Sequence, residues 1–232
     1  MSEIFSKAWE YFKQHWIFLS VVSAIGVLVP ALLTAVPIIK VWLQAKAGTI
    51  DYPDFQSFYT AILAQVGIFG CIGMIVLFLA IAGLIKASLK ITEGGTPQVS
   101  DVFLDGGTYL KGFLALLVCT ILYAIGLVLC VVPGLILMFF TVFVPFEVIG
   151  NPNAGVMDAI KNSFKLVKSD WKTTIVVFLV GYIITSVLGS TGIGLIPAYP
   201  FFYLALTVLY RQLKGQGMAA PQIDAPEPQQ QY

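Results

Sequence analysis

Between Ala154 and Trp171 dry and wet positions recur with a helical period. Val156, Ile160, Ser163, Phe164, Val167 and Trp171 fall on one face; Asp158, Lys161, Asn162, Lys165, Lys168 and Asp170 fall on the other. This predicts an amphipathic helix with cations on its wet side. Its length and its Trp suit a membrane interface, apolar face down. Residues 2–16 repeat the pattern. Ile4, Phe5, Ala8, Trp9, Phe12 and Trp16 share a face that Glu3, Lys7, Glu10, Lys13 and Gln14 avoid, and Ser2 can cap the start. A shorter third counterpart starts at Ser100 and Asp101. Val99, Val102 and Phe103 form its apolar side, and Gly106-Gly107 breaks it.

Long apolar runs separate these stretches, and a bilayer crossing needs about 20 such residues. The first span covers about 17–39 and contains Pro30 and Pro37, which predict a kink. A polar loop, QAKAGTIDYPDFQS with Asp51 and Asp54, leads to a second span from about 58 to 86. There Ala64, Gly67, Gly70, Gly73, Ala80, Gly83 and Ala87 form a small-residue face suited to close helix contact. Spans three (about 113–131) and four (about 135–148) form a hairpin through the uncharged turn Val132-Pro133-Gly134. Spans five (about 174–188) and six (about 195–210) form another through GSTGIG, with Pro197 and Pro200 at the tolerant start of the last span. The expectation is an all-α polytopic membrane protein: six spans and three cytoplasmic interfacial helices in one domain over 1–214. The tail 215–232, rich in Gln, Pro, Ala and Gly, is expected to be disordered and cytoplasmic.

Composition agrees. Of 232 residues 58% are hydrophobic and 11% charged, against about 25% charged in soluble domains. The net charge of +1, with lysines spread along the chain, argues against a nucleic-acid partner. Cys71, Cys119 and Cys130 lie in apolar runs without metal-ligand spacing. The N-terminus, mixed in charge and aromatic, does not read as a signal peptide, so the first span is expected to stay. Of 13 Lys and Arg, all but Lys40 and Lys46 fall on one side of the expected topology. The positive-inside rule then puts both termini and the three amphipathic helices in the cytoplasm.

The unit of interfacial helix, span, short turn and span is expected to occur three times, at about 2–90, 98–150 and 154–214. Ala8 precedes Trp16 as Ser163 precedes Trp171, and Lys13 and Lys168 stand three residues before each Trp. The turns echo one another as AIGVLVP at 24–30, AIGLVLCVVP at 124–133 and TGIGLIP at 191–197. Repeated helix pairs are common in transporters, though duplication also builds proteins that transport nothing.

From Pro133 to Leu213 the chain carries Pro133-Gly134, Glu147, Ala159, Ser163, Lys168, Pro197 and Tyr210. In this pattern it resembles the six-span bacterial proteins of the YciC type, and is similar to the membrane domain fused to some glycerophosphoryl diester phosphodiesterases. The soluble phosphodiesterase domain, with its carboxylate metal site, is absent from this sequence. The resemblance implies a bacterial inner-membrane protein linked to envelope lipids.

Few residues invite chemistry. His15, the one histidine, sits beside Trp16 at the expected interface and reads as a surface residue. No Walker loop, nucleophile elbow or H-E-x-x-H motif occurs, so an enzyme and a cofactor are not expected. Glu147 is the acid within a span, where a charge costs about 2.5–3.5 kcal/mol at mid-bilayer. It reads as a proton or cation relay or a lipid-headgroup contact. Alternatively it points into the headgroup zone or pairs with a lysine such as Lys86. Lys161, Lys165 and Lys168 are candidate contacts for anionic lipid, at about 1 kcal/mol each, or simply a topology signal; Ser163 lies on the same helix. The expected partners are membrane lipids, with protein partners and self-association open. The functional expectation is a non-enzymatic membrane protein that binds or helps move lipid or another amphiphile, with a partner-binding subunit lacking its own cavity as the alternative.

Overall fold

An apolar helix more than about 20 residues long overshoots a ~30 Å hydrocarbon layer, and the first two helices do so by a wide margin. In the computed structural model, which describes residues 2–48, 55–129, 131–151 and 153–218, α1 (Ser2–Lys46) has 45 residues and α2 (Phe55–Thr92) has 38. They are followed by α3 (Val99–Val102), α4 (Gly106–Leu129), α5 (Val131–Phe140), α6 (Val144–Gly150), α7 (Val156–Ser169), α8 (Trp171–Gly189) and α9 (Leu195–Leu213). The described residues are all-helical, without strands. Asp51, Asp54, Cys130 and the expected tail from residue 219 on lie outside them.

Among the described residues, five helical stretches are long and apolar enough to cross a membrane: 2–46, 69–92, 99–128, 132–150 and 171–189. Their outward surface is apolar, with Leu32, Val36, Ile121, Ile125, Val128 and Ile183 exposed. α9 falls short of that hydropathy because Tyr199, Tyr203, Tyr210, Arg211 and Gln212 interrupt it. It is instead an enclosed helix: every residue from Leu204 to Arg211 is buried. It packs against α1, α2, α7 and α8, so protein surrounds most of it. Its core partners include Leu19, Ile85, Phe143 and Phe146. α6 links this core to a second one, in which Val144 and Val148 pack with Ala115, Cys119, Ala159 and Ile160.

Several expectations change. The segment 2–16 and the first span form one helix whose departure from helical backbone falls at His15 (φ −121°, ψ 18°), while Pro30 and Pro37 sit inside continuous helix. Ile4, Ala8 and Phe12 are buried as expected, but Tyr11 joins them and Trp9 and Trp16 are exposed. This helix docks on α9, where Phe5, Trp9 and Phe12 surround the Phe201 ring at 6.3, 6.0 and 6.3 Å. α7 likewise turns its dry face to protein, contacting α4, α5 and α6 rather than lying apolar face down on lipid. Ala159, Ile160, Ser163 and Val167 are buried, whereas Trp171 is exposed and starts α8.

α3 departs in part from expectation: Val102 packs against the core as expected. Asp101 is buried while Val99 and Phe103 are exposed, because Asp101 accepts hydrogen bonds from Lys90 Nζ (2.8 Å) and the Gln98 N–H (2.7 Å). Gly106-Gly107 opens α4 instead of ending a helix, with Asp105 accepting from the Thr108 N–H and hydroxyl at 2.9 and 2.6 Å. Val132-Pro133-Gly134 lies inside α5 rather than in a turn, since proline is tolerated in a first helical turn whose N–H groups lack intrahelical partners. Gly134 lets α4 and α5 touch: a Cβ there would stand 2.8 Å from Leu127 Cδ2.

The small face of α2 is used in part. A Cβ on Gly73 would meet Pro30 at 3.2 Å, and one on Gly26 would meet the Ala80 Cβ at 2.5 Å, whereas Gly67 and Gly70 face open space. The expected fourth span is broken at Thr141-Val142-Phe143 into α5 and α6.

Candidate functional site

The break between α5 and α6 leaves backbone groups without helical partners, and Ser163 of α7 takes them up. Its hydroxyl accepts the Phe143 N–H at 3.1 Å and donates to the Phe140 carbonyl at 2.8 Å. The short helix that follows, with Pro145 in its first turn, carries Glu147 into the bundle with no exposed surface. A buried carboxylate is tolerable only when its oxygens are satisfied, and both are. Oε1 faces Lys214 Nζ at 2.9 Å and accepts from the Tyr210 hydroxyl at 3.0 Å. Oε2 accepts from Asn162 Nδ2 at 3.2 Å. Lys214 also donates to the Tyr210 hydroxyl (2.8 Å). The Tyr210 ring is fixed by Phe143 and Phe146 at 5.8 and 5.6 Å.

Beside this network a pocket of ≈ 420 Å³ opens between α2, α3, α6 and α9. That size is within the range of small-ligand sites. Lys86, Lys90, Arg211 and Lys214 line it with Glu93 and Asp101, and Leu89, Ile149 and Gly150 supply apolar wall. Glycine punctuation shapes the rim. α2 closes with Gly94 at φ 85°, its N–H on the Ile91 carbonyl (2.9 Å) and the Gly95 N–H on the Lys90 carbonyl (3.0 Å). α9 closes in the same way with Gly215 at φ 65°; the Gly215 N–H binds the Gln212 carbonyl (3.1 Å) and the Gln216 N–H the Arg211 carbonyl (3.0 Å). These paired bonds are the Schellman closure, open to glycine because it adopts positive φ without strain. The start of the expected disordered tail is therefore an ordered cap, and Met218 packs against the core.

Each cation has a different hold. Lys90 is paired with Asp101 at 2.8 Å, and Lys214 with Glu147. Lys86 donates to the Phe103 carbonyl at 3.0 Å, with no acid within ion-pair reach among the described residues, and Glu147 pairs with Lys214 instead of the Lys86 considered from sequence. Arg211 donates to the Leu89 carbonyl (3.2 Å) and pairs with Glu93. The Arg211 side chain is 7% exposed and that of Glu93 62%. Arg211 Nε is buried without a hydrogen-bond partner.

Neither a protein family nor a curated protein nor a solved structure matches the chain.

The structure thus distributes the residues singled out from sequence. Glu147 sits behind the pocket and reaches it through Lys214. Ser163 is fully buried as the stitch of the broken helix. Lys161, Lys165 and Lys168 are exposed on α7 and do not line the pocket. Among the described residues no group of three or more His, Cys, Asp or Glu is placed to hold a metal ion. Sequence reading passed over Arg211, Lys90, Glu93 and Asp101. A usable signal existed: cations in the last turns of two helices that both end in glycine, where carbonyls and helix dipoles gather. Asp170 between α7 and α8 has a local task. It accepts the Thr173 N–H at 3.1 Å, capping α8, and bonding to Thr173 holds its carboxyl below the usual Asp range. Chemically, the pocket offers several positive donors beside an apolar wall, a combination suited to a molecule with an anionic group and a greasy part.

Proposed function

We propose that the protein is an integral membrane protein of the bacterial inner membrane that binds, or helps move, a lipid or another amphiphile without carrying out chemistry of its own. The observation that carries this reading is the cation-rich pocket set into the polar end of a bundle whose flanks are apolar. In this reading α9 is a sixth span shielded by its neighbours, and the broken stretch α5–α6 is the fourth. Both termini and the helices at 2–14, α3 and α7 are cytoplasmic. The ion pairs Arg211–Glu93 and Lys214–Glu147 support this arrangement, since they bring the ends of α2, α6 and α9 together on the lysine-rich side. The threefold repeat gains support from Gly26 and Gly126. They hold equivalent places in AIGVLVP and AIGLVLCVVP, and each marks a close approach within its hairpin. The likeness to YciC-type proteins supports the inner-membrane placement.

Native mass spectrometry of gently purified protein, with extraction of what stays bound, tests the reading. One lipid class retained at fixed stoichiometry is the expected result; bulk lipid at bulk ratios overturns it. A partner-binding subunit is the second reading. It draws on the far end of the α4–α5 hairpin, where Ile121, Ile125, Leu127, Val128, Val132 and Leu135 are all exposed. Co-purification of a stoichiometric partner chain, with no retained lipid, would favour it.

A further inference from the structure

We propose that the pocket between α2, α3, α6 and α9 is a phosphate-type oxyanion site in which the Glu93 carboxylate occupies, in the free protein, the place on Arg211 that the ligand's anionic group takes. This deepens the amphiphile-binding reading and rests on it for the source of the anion.

The asymmetry of the Arg211–Glu93 pair is the starting point. Arg211 is buried, tied to the Leu89 carbonyl and flanked by packed residues, so its guanidinium is held in position. Glu93 is mostly exposed and sits at the end of α2, so its carboxylate loses little by returning to water. A planar guanidinium in a fixed orientation matches a phosphate as well as it matches a carboxylate, through paired N–H donors. Exchange of Glu93 for a ligand phosphate therefore replaces one charge-assisted contact by another.

The neighbouring groups favour the exchange. Lys90 and Lys214 are matched by Asp101 and Glu147. Lys86 is the lining cation whose bond is to a neutral carbonyl. With Glu93 displaced, Lys86 and Arg211 both face the pocket without an acid partner, and a doubly charged phosphate balances them. The carbonyls that would repel an anion at two helix ends are occupied instead: those of Lys90, Ile91, Arg211 and Gln212 accept the N–H groups of the glycine-containing caps. Leu89 and Ile149 on the same wall suit the first carbons of an attached apolar chain.

The test uses the full chain, delipidated in detergent and followed by native mass spectrometry. The probes are a phosphatidic acid, a phosphatidylcholine with the same acyl chains, and inorganic phosphate as competitor. The expected result is phosphatidic acid bound one to one and preferred over phosphatidylcholine. Glu93→Gln removes the internal competitor and tightens binding by about fivefold; Lys86→Gln weakens it by about fivefold, the effect of one near-surface lysine. Lys40→Gln, an exposed change on α1 outside the pocket, leaves it unchanged. Phosphate displacing the lipid at millimolar concentration would show that the free anion suffices; failure to displace it would assign the site to a lipid headgroup. Equal binding of the two lipids, or weaker or unchanged binding in Glu93→Gln, overturns the oxyanion site. That residue is exposed, so its substitution tests the sign even if Lys86→Gln folds poorly. A lipid retained one to one but indifferent to Glu93 and Lys86 overturns this site and leaves the amphiphile reading standing. Phosphate binding with the Glu93 signature but no retained lipid does the reverse.

Discussion

Glu147 and Lys214 form a one-sided ion pair: 2.9 Å apart, with the carboxylate side chain wholly buried and the lysine side chain a quarter exposed. The two partners therefore respond unequally to loss of the other. Lys214→Met leaves a buried carboxylate with only Tyr210 and Asn162 as donors, and should destabilise the protein by about 3 kcal/mol. Glu147→Gln keeps an acceptor for Tyr210 and leaves Lys214 near water, so its cost should be smaller, about 1–2 kcal/mol. The double change should be milder than Lys214→Met alone. Unfolding titrations in mixed detergent, followed by circular dichroism, give all three values; equal costs for the single changes would contradict the burial asymmetry.

The Ser163 stitch predicts a local effect. Ser163→Ala strands the Phe143 N–H and the Phe140 carbonyl at the helix break, at a cost of about 1–3 kcal/mol. Hydrogen exchange should rise first across 141–144, where the Phe143 N–H loses its acceptor. A rise spread evenly over the bundle would mean that the break does not depend on this hydroxyl.

These two predictions rest on features that sequence reached to different depths. The long apolar runs were legible because hydropathy reports directly on what a helix surface can touch. The helix over 156–169 was legible from its period. What covers its dry face was not, because period 3.6 marks a buried side without distinguishing lipid from protein; Ile160 and Val167 pack on protein. The same ambiguity hid α9, whose tyrosines and arginine lower its hydropathy because neighbouring helices supply their partners. Asp101 misled for a related reason. An acid in a short polar connection reads as solvent-facing until Lys90, in the last turn of α2, is known to reach it. Glu147 was marked by its rarity in a span, but its lysine came from the far end of the chain, a pairing that only the tertiary fold reveals.

Small residues on the facing helices α1 and α2 should divide sharply under substitution. Gly26→Val forces side-chain atoms into Ala80, and helix separation should cost about 1–3 kcal/mol. Gly67→Ala and Gly70→Ala meet nothing within 4 Å among the described residues and should be neutral or slightly stabilising, because alanine is the better helix former. Thermal unfolding in one detergent compares the three. A large loss at Gly67 or Gly70 would indicate a contact surface outside this chain.

The Asp170 cap predicts a pH response with a defined sign. Bonding to Thr173 lowers the Asp170 carboxyl in the folded state, so the folded protein binds its proton less readily than the unfolded chain does. The cap's stabilisation is then fully present above the unfolded value, about pH 3.9. It is lost as pH falls through the lower folded value. Asp170→Ala should remove about 1 kcal/mol at neutral pH and flatten this part of the acid profile. Asp170→Asn keeps an acceptor for the Thr173 N–H at 3.1 Å, so it should retain most of the neutral-pH stability while losing the acid dependence. Unfolding midpoints measured from pH 3 to pH 7 for the three proteins separate these effects. An Asn variant that tracks the parent curve down to the lowest pH would show that the acid sensitivity arises elsewhere and that the Asp170 cap contributes through geometry alone.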